Sequence, residues 1–160
     1  MGELSTERDG AAVRVPPPLV YLGGVIAGVV IHWLVLPLPL GLSAAARIAL
    51  TAAAALLGIL LMGGAIRLFR QTGQDPKPWE PTPEVVSTGV YRFTRNPMYV
   101  SMALLQIAIG VGLANGWILA LVPPVLVIVY GTAIRHEEAY LERKFGETYA
   151  SYKRSVRRWL

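Results

Sequence analysis

The chain has 160 residues, of which 54% are hydrophobic and only 16% are charged. Soluble domains contain about 45–50% apolar and about 25% charged residues, so this composition argues against an ordinary soluble domain. The chain has no cysteine, which excludes disulfides, thiolate nucleophiles and cysteine-type zinc sites. The net charge of +5 could suit nucleic acid, but on an apolar chain it more often reflects loops that lie beside anionic lipid headgroups.

Four apolar stretches are each close to the ~20 residues that cross the hydrocarbon core of a membrane. They cover residues 19–36, 48–66, 98–114 and 117–134. Asn115 and Gly116 predict a tight turn between the third and fourth stretches, and Pro123 and Pro124 predict a kink in the fourth. The sequence therefore predicts an all-α integral membrane bundle of about four transmembrane helices with a C-terminal interfacial helix.

The chain forms one predicted membrane domain with five parts. These are an N-terminal tail (1–18), a helical pair (19–69), a loop (70–97), a helical hairpin (98–134) and a C-terminal tail (135–160). Prolines in the loop predict a pinned, extended segment over residues 71–83. With four spans, fourteen of the fifteen basic residues and all ten acidic residues lie on the side that holds both termini. Because Lys and Arg favour cytoplasmic loops, we expect both termini in the cytoplasm.

Hydrogen-bond donors are dense in residues 87–99, which lead into the third apolar stretch at Pro97. A helix start offers free N–H groups that attract an anion such as a carboxylate, here with Asn96 in the N-cap position. Tyr91 and Tyr99 would form aromatic walls beside it. The alternative is that the arginines of this segment anchor the topology and that its tyrosines form an interfacial belt.

Charged residues resume directly after the fourth apolar stretch, at Arg135, Glu137 and Glu138. On a continuing helix the two glutamates point about 100° apart, and Arg135 lies within ion-pair reach of Glu138. Carboxylates at the membrane edge often mark function, and the alternative is an exit helix with a solvated charge cluster. No metal-binding motif accompanies them.

The tail beyond Gly146 combines aromatic and basic residues. Tyr149, Tyr152 and Trp159 fall roughly on one helical face, and four basic residues follow Tyr152. This pattern predicts an interfacial helix that docks on anionic lipid and closes the site from below, or a plain topology anchor.

Four sequence elements follow one another in a fixed order. They are STGVY (87–91), RNPMY (95–99), EExxL (137–141) and FGxxYxxY (145–152). This array resembles the isoprenylcysteine carboxyl methyltransferase family in its broad sense, which includes bacterial and archaeal relatives and phospholipid methyltransferases. The resemblance implies an integral membrane enzyme that transfers a methyl group from S-adenosylmethionine to a lipophilic acceptor, with S-adenosylhomocysteine as the product.

The resemblance also implies roles for particular residues. Glu138 and Arg135 would contact the methyl acceptor, with Glu138 as the base if that acceptor is an amine or a thiol. The cofactor would be surrounded by Val85, Val86, Ser87, Tyr91, Arg95, Asn96, Pro97, Met98, Tyr99 and Glu137. Asn96 stands where the family most often has histidine, so it can donate a hydrogen bond but cannot titrate.

Several alternatives remain open for the function. An N-methyltransferase of phospholipid amines or an S-methyltransferase of small thiols would use the same site on another acceptor. A non-catalytic four-helix membrane scaffold would keep the fold without the chemistry. The expected partners are a lipophilic substrate and anionic membrane lipids, not nucleic acid.

Overall fold

The computed structural model describes residues 11, 13, 15–73 and 82–160. Its α-helices are α1 (Pro17–Leu34), α2 (Ala44–Gln71), α3 (Pro97–Gly112), α4 (Gly116–Ala120), α5 (Val122–Val129), α6 (Arg135–Phe145) and α7 (Glu147–Ser155). A 3-10 turn at Gly89–Arg92 precedes α3, and a π-helical turn at Tyr130–Ile134 joins α5 to α6. The described part of the chain contains no β-strand, which confirms the all-α prediction.

Three helical stretches are long and apolar enough to cross a membrane. They are α1, α2 and the run Gly116–Phe145, whereas α3 is apolar but has only 16 residues. Large apolar side chains such as Leu57 and Leu60 of α2 are exposed, as is typical of helix faces that contact lipid. The membrane bundle is therefore confirmed, and the fourth span and the orientation stay predictions.

Small residues allow α2 and α3 to pack closely. A Cβ atom added at Gly58 would lie 3.1 Å from the carbonyl oxygen of Ser101, and Ala65 is fully buried. Close backbone approach of this kind is the usual way in which membrane helices associate, because lipid removes the hydrophobic drive between them.

The predicted turn between α3 and α4 is confirmed. Asn115 is the N-cap of α4, and its side-chain oxygen accepts hydrogen bonds from the backbone N–H groups of Trp117 and Ile118. Its side-chain amide donates to the carbonyl of Gly28 on α1 at 3.1 Å. One residue therefore caps α4 and binds it to α1.

The two consecutive prolines interrupt the helix that follows the turn. α4 ends at Ala120, and Pro123 and Pro124 lie in the first turn of α5, with Leu121 between the two helices. The first turn tolerates proline because its N–H groups have no partner within the helix.

Some of the predicted segments lie outside the described residues. These are residues 74–81 of the proline-rich loop and residues 1–10, 12 and 14 of the N-terminal tail.

The contact between α1 and α4 gives a testable prediction. A Cβ atom at Gly28 would lie 2.8 Å from the backbone nitrogen of Ile118, whereas one at Gly23 meets nothing within 4 Å. We expect Gly28→Ala to lower the free energy of unfolding by about 1–3 kcal/mol, since backbone must move. Gly23→Ala should leave it unchanged or raise it by up to about 1 kcal/mol through helix propensity. Thermal unfolding of both variants in detergent measures the difference, and equal effects would contradict the close approach.

Candidate active site

A cavity of about 290 Å³ lies at the end of the bundle where α1, α3 and α6 begin and α2 ends. Its walls are mainly apolar, with a few charged side chains. Small-molecule sites usually measure about 300–1,000 Å³ and have this mixed lining, so the cavity lies just below the lower end of that range.

The cavity gathers most of the residues that the sequence associates with a cofactor. Nine of those ten line it, and Ser87 does not. Glu138 lines it as well, whereas Arg135 does not. Cavity residues for which no role was predicted come mainly from the helices around it: Pro16, Pro17, Pro18, Phe69, Met102, Tyr140 and Leu141.

The segment that leads into α3 forms one wall. α3 begins at Pro97 with Asn96 as its N-cap, as predicted, but the Asn96 side chain does not cap the helix. Instead its amide donates to the carbonyl of Arg158 at 3.0 Å, and the Thr94 hydroxyl donates to the same carbonyl at 2.9 Å. One donor of the Asn96 amide is thus already bound within the protein.

The π-helical turn sets the register of the two glutamates. A π turn contains an additional residue, so it rotates the helix that follows relative to a continuous α-helix. Ile134, the last residue of the π turn, is fully buried, and beyond the turn Arg135 is exposed and Glu138 is buried. Arg135 therefore faces away from the cavity, whereas the sequence predicted that it would pair with Glu138.

Glu138 forms ion pairs with two other arginines. Arg158 donates from Nε to Oε1 and from Nη2 to Oε2, both at 2.9 Å. Nη2 of Arg95 lies 3.3 Å from Oε1, and the side chains of Arg95 and Glu138 are only 7% and 9% exposed. The predicted partner Arg135 is thus corrected to Arg158 and Arg95.

Glu137 is held by a tyrosine of α3. The Tyr99 hydroxyl donates to its carboxylate, and the Tyr99 carbonyl accepts a hydrogen bond of 2.8 Å from Tyr21 on α1. These bonds connect α1, α3 and α6 beside the cavity.

The C-terminal helix closes the cavity with its aromatic face. Tyr149 and Tyr152 are buried and line the cavity, and the Tyr152 hydroxyl donates to the carbonyl of Tyr91 at 2.8 Å. The predicted closure of the site is therefore present, but these tyrosines pack on protein and are not available to lipid. Lipid docking by the basic residues stays a prediction.

Burial also determines the protonation state of the two tyrosine hydroxyls. It raises the pKa values of Tyr149 and Tyr152, with Glu138 adding to the rise at Tyr149 and Arg95 opposing the rise at both. Both hydroxyls are therefore protonated donors at neutral pH. The hydrogen bonds to Glu138 raise the pKa of the Arg158 guanidinium, so this side chain is positively charged at neutral pH.

The fold is that of a helical membrane protein with a cavity at one end of its bundle. The family model described as phospholipid methyltransferase matches residues 46–148. Since this is more than half of the chain, the protein belongs to the phospholipid methyltransferase family, a family of membrane methyltransferases. This confirms the family resemblance carried by the four sequence elements.

Two further comparisons complete this result. An uncharacterized protein of Haemophilus influenzae is 38% identical over 65 residues, which cover 39% of this chain and the whole of that relative. No solved structure matches the chain.

The paired glutamate gives a second prediction. Glu138→Gln removes the carboxylate that pairs with the buried Arg95, so we expect the free energy of unfolding to fall by about 3–5 kcal/mol. Glu142→Gln is the matched control because Glu142 pairs with Lys153 on the exposed surface of the same helix, where a pair contributes about 0–1 kcal/mol. Thermal unfolding of the two cofactor-free variants in detergent measures the difference between their stabilities. Equal melting temperatures for the two variants would contradict the buried pair.

Proposed function

We propose that this protein is an S-adenosylmethionine-dependent membrane methyltransferase that acts on a lipophilic acceptor. The observation that carries the proposal is the convergence of nine predicted cofactor residues on one cavity in a chain of a methyltransferase family. A chance grouping is a poor explanation because these residues come from the segment before α3, from α3 itself and from α6.

The residues present fit the proposed cofactor. Among the described residues, Nε and Nη1 of Arg95 are buried without a hydrogen-bond partner, and Arg95 lies in the cavity wall. Buried N–H groups without a partner are costly, and a carboxylate is the acceptor that a guanidinium binds best. Arg95 would therefore hold the methionine carboxylate of the cofactor. The start of α3 at Pro97 would add its free N–H groups.

The other walls suit the rest of the cofactor. Tyr91 and Tyr99 would pack on the adenosine part, and Glu137 would accept a hydrogen bond from a ribose hydroxyl or from the amino group. The bound cofactor supplies an electrophilic methyl group on a sulfonium. The protein must then align the acceptor with that methyl group and exclude water, which needs few catalytic side chains.

The ion pairs of Glu138 bear on the class of acceptor. Both of its oxygens accept hydrogen bonds from Arg158, so this carboxylate is poorly placed to remove a proton, and the role of base predicted for it is disfavoured. An acceptor that is already an anion needs no base. We therefore propose a lipophilic carboxylate, as in isoprenylcysteine carboxyl O-methylation.

A phospholipid amine is the second candidate, favoured by the description of the matching family model. An amine attacks only after it has lost its proton, and Glu137 would then be the carboxylate that takes it. A small thiol would place the same demand on the site.

A methyl-transfer assay tests the proposal. Purified protein receives methyl-labelled S-adenosylmethionine with a prenylcysteine analogue or, in parallel, a lipid extract. We expect label in the prenylcysteine ester and a fall of about 10–100-fold in Glu137→Ala, since hydrogen bonds to a charged group are lost. Glu142→Ala changes an exposed glutamate of the same helix outside the cavity and should keep full activity.

Other outcomes of this assay would contradict the primary proposal. Label in the amine headgroups of the extract would favour the second candidate. Transfer to no acceptor, together with no binding of S-adenosylhomocysteine, would favour a non-catalytic membrane scaffold.

We also propose four spans with both termini and the cavity on the cytoplasmic side, where the basic residues concentrate. Since the chain has no cysteine, single-cysteine variants carry no background label. In spheroplasts, a membrane-impermeant maleimide should label Gly41→Cys, between α1 and α2, within minutes. Ser155→Cys, at the end of α7, should react only after permeabilisation. Labelling of both variants in intact spheroplasts would contradict this orientation.

A further inference from the structure

The C-terminal segment of Arg157 and Arg158 lies along the residues that lead into α3. The carbonyl of Arg157 accepts a hydrogen bond of 2.9 Å from the backbone N–H of Arg95. The carbonyl of Arg158 accepts from the Thr94 hydroxyl at 2.9 Å and from the Asn96 amide at 3.0 Å. Three consecutive residues are thus bound to this segment, and two of them, Arg95 and Asn96, line the cavity.

The Arg158 side chain completes the connection. Its guanidinium forms a two-bond fork with Glu138, and its central carbon lies 4.8 Å from the centre of the Tyr130 ring. A planar guanidinium matches a carboxylate in this geometry, and an aromatic face stabilises its charge. Arg158 is therefore held on two sides.

Glu138 is shared unequally between its two arginines. Because Arg158 takes both oxygens at 2.9 Å, Arg95 is left with a single contact of 3.3 Å through Nη2. The Nε and Nη1 groups of Arg95 consequently have no partner among the described residues. Without Arg158, Glu138 would be free to form its own two-bond fork with Arg95, through Nη2 and one of these two donors, and that donor would be lost to a ligand.

We infer that Arg158 is a positioning residue for cofactor binding, because its hold on Glu138 keeps the N–H groups of Arg95 available for the cofactor carboxylate. This inference rests on the proposed function and deepens it. Arg158 itself is not among the residues that line the cavity, so it acts through Glu138 and Arg95.

The test compares two ligands that differ only in the carboxylate, S-adenosylhomocysteine and its decarboxylated analogue. In calorimetric titrations in detergent, Arg158→Gln should weaken binding of S-adenosylhomocysteine by about tenfold or more and binding of the analogue by less than about twofold. Arg158→Lys should be intermediate for S-adenosylhomocysteine, because an ammonium keeps the charge but lacks the planar fork.

Arg157→Gln is the matched control. It makes the same change of charge at the neighbouring position, where the side chain is exposed, and it keeps the backbone carbonyl that binds Arg95. Both affinities should equal those of the unmodified protein.

A double-mutant cycle tests whether Arg158 acts through Arg95. In an Arg95→Gln background the further change Arg158→Gln should leave the affinity for S-adenosylhomocysteine unchanged within about twofold, since the donors that it protects are gone. A full tenfold loss in that background would overturn the inference.

The remaining outcomes are decisive as well. Equal weakening of both ligands would show a merely structural role, and unchanged affinity in both Arg158 variants would overturn the inference while the proposed function stands. If Arg158→Gln does not fold, selective loss in Arg158→Lys carries the test. Failure of the unmodified protein to bind S-adenosylhomocysteine would overturn the proposed function and this inference together.

Discussion

The cavity end of the bundle depends on one buried carboxylate. A charge removed from water must be paired and hydrogen-bonded, and Glu138 meets this demand through Arg95 and Arg158. The three residues come from the segment before α3, from α6 and from the C-terminal segment. Moving α6 would leave the buried Arg95 without this carboxylate, and moving either arginine would leave Glu138 with fewer of its hydrogen bonds, so the ion pairs hold these three segments together.

The opposite part of the fold supports this arrangement with contacts of another kind. Gly28 brings α1 against the start of α4, and the side-chain amide of Asn115 binds the Gly28 carbonyl. With α1 fixed there, its first turn contributes Pro17 to the cavity, and Tyr21 reaches the carbonyl of Tyr99. Close packing between the helices thus positions groups at the cavity end of the bundle.

The sequence predicted what local signals determine. Apolar stretches gave the helices, the asparagine at position 115 gave the turn, and short motifs gave nine of the cavity residues. It did not predict the partner of Glu138, because Arg158 lies 20 residues away and Arg135 only three. The π turn between α5 and α6 has no sequence signal of comparable strength, and it sets which face of α6 meets the cavity; on that helix Glu138 is buried and Arg135 is exposed. Likewise, helical periodicity predicted that Tyr149 and Tyr152 share one face of a helix. It did not predict whether lipid or protein covers that face.

The proposed carboxylate acceptor is supported by the character of the cavity on electrostatic grounds. Attack of a carboxylate on a sulfonium cancels two opposite charges, so the reaction gains from an apolar, water-poor site in which separated charges are costly. Attack of a neutral amine only moves a positive charge and gains much less. Met98 and Met102 contribute to the mainly apolar walls, and Glu138 is paired with two arginines, so its negative charge is more than balanced and does not oppose an anionic acceptor. Under the proposed function, such a site would accelerate the transfer through desolvation and alignment, and it would do so most effectively when the acceptor arrives as an anion.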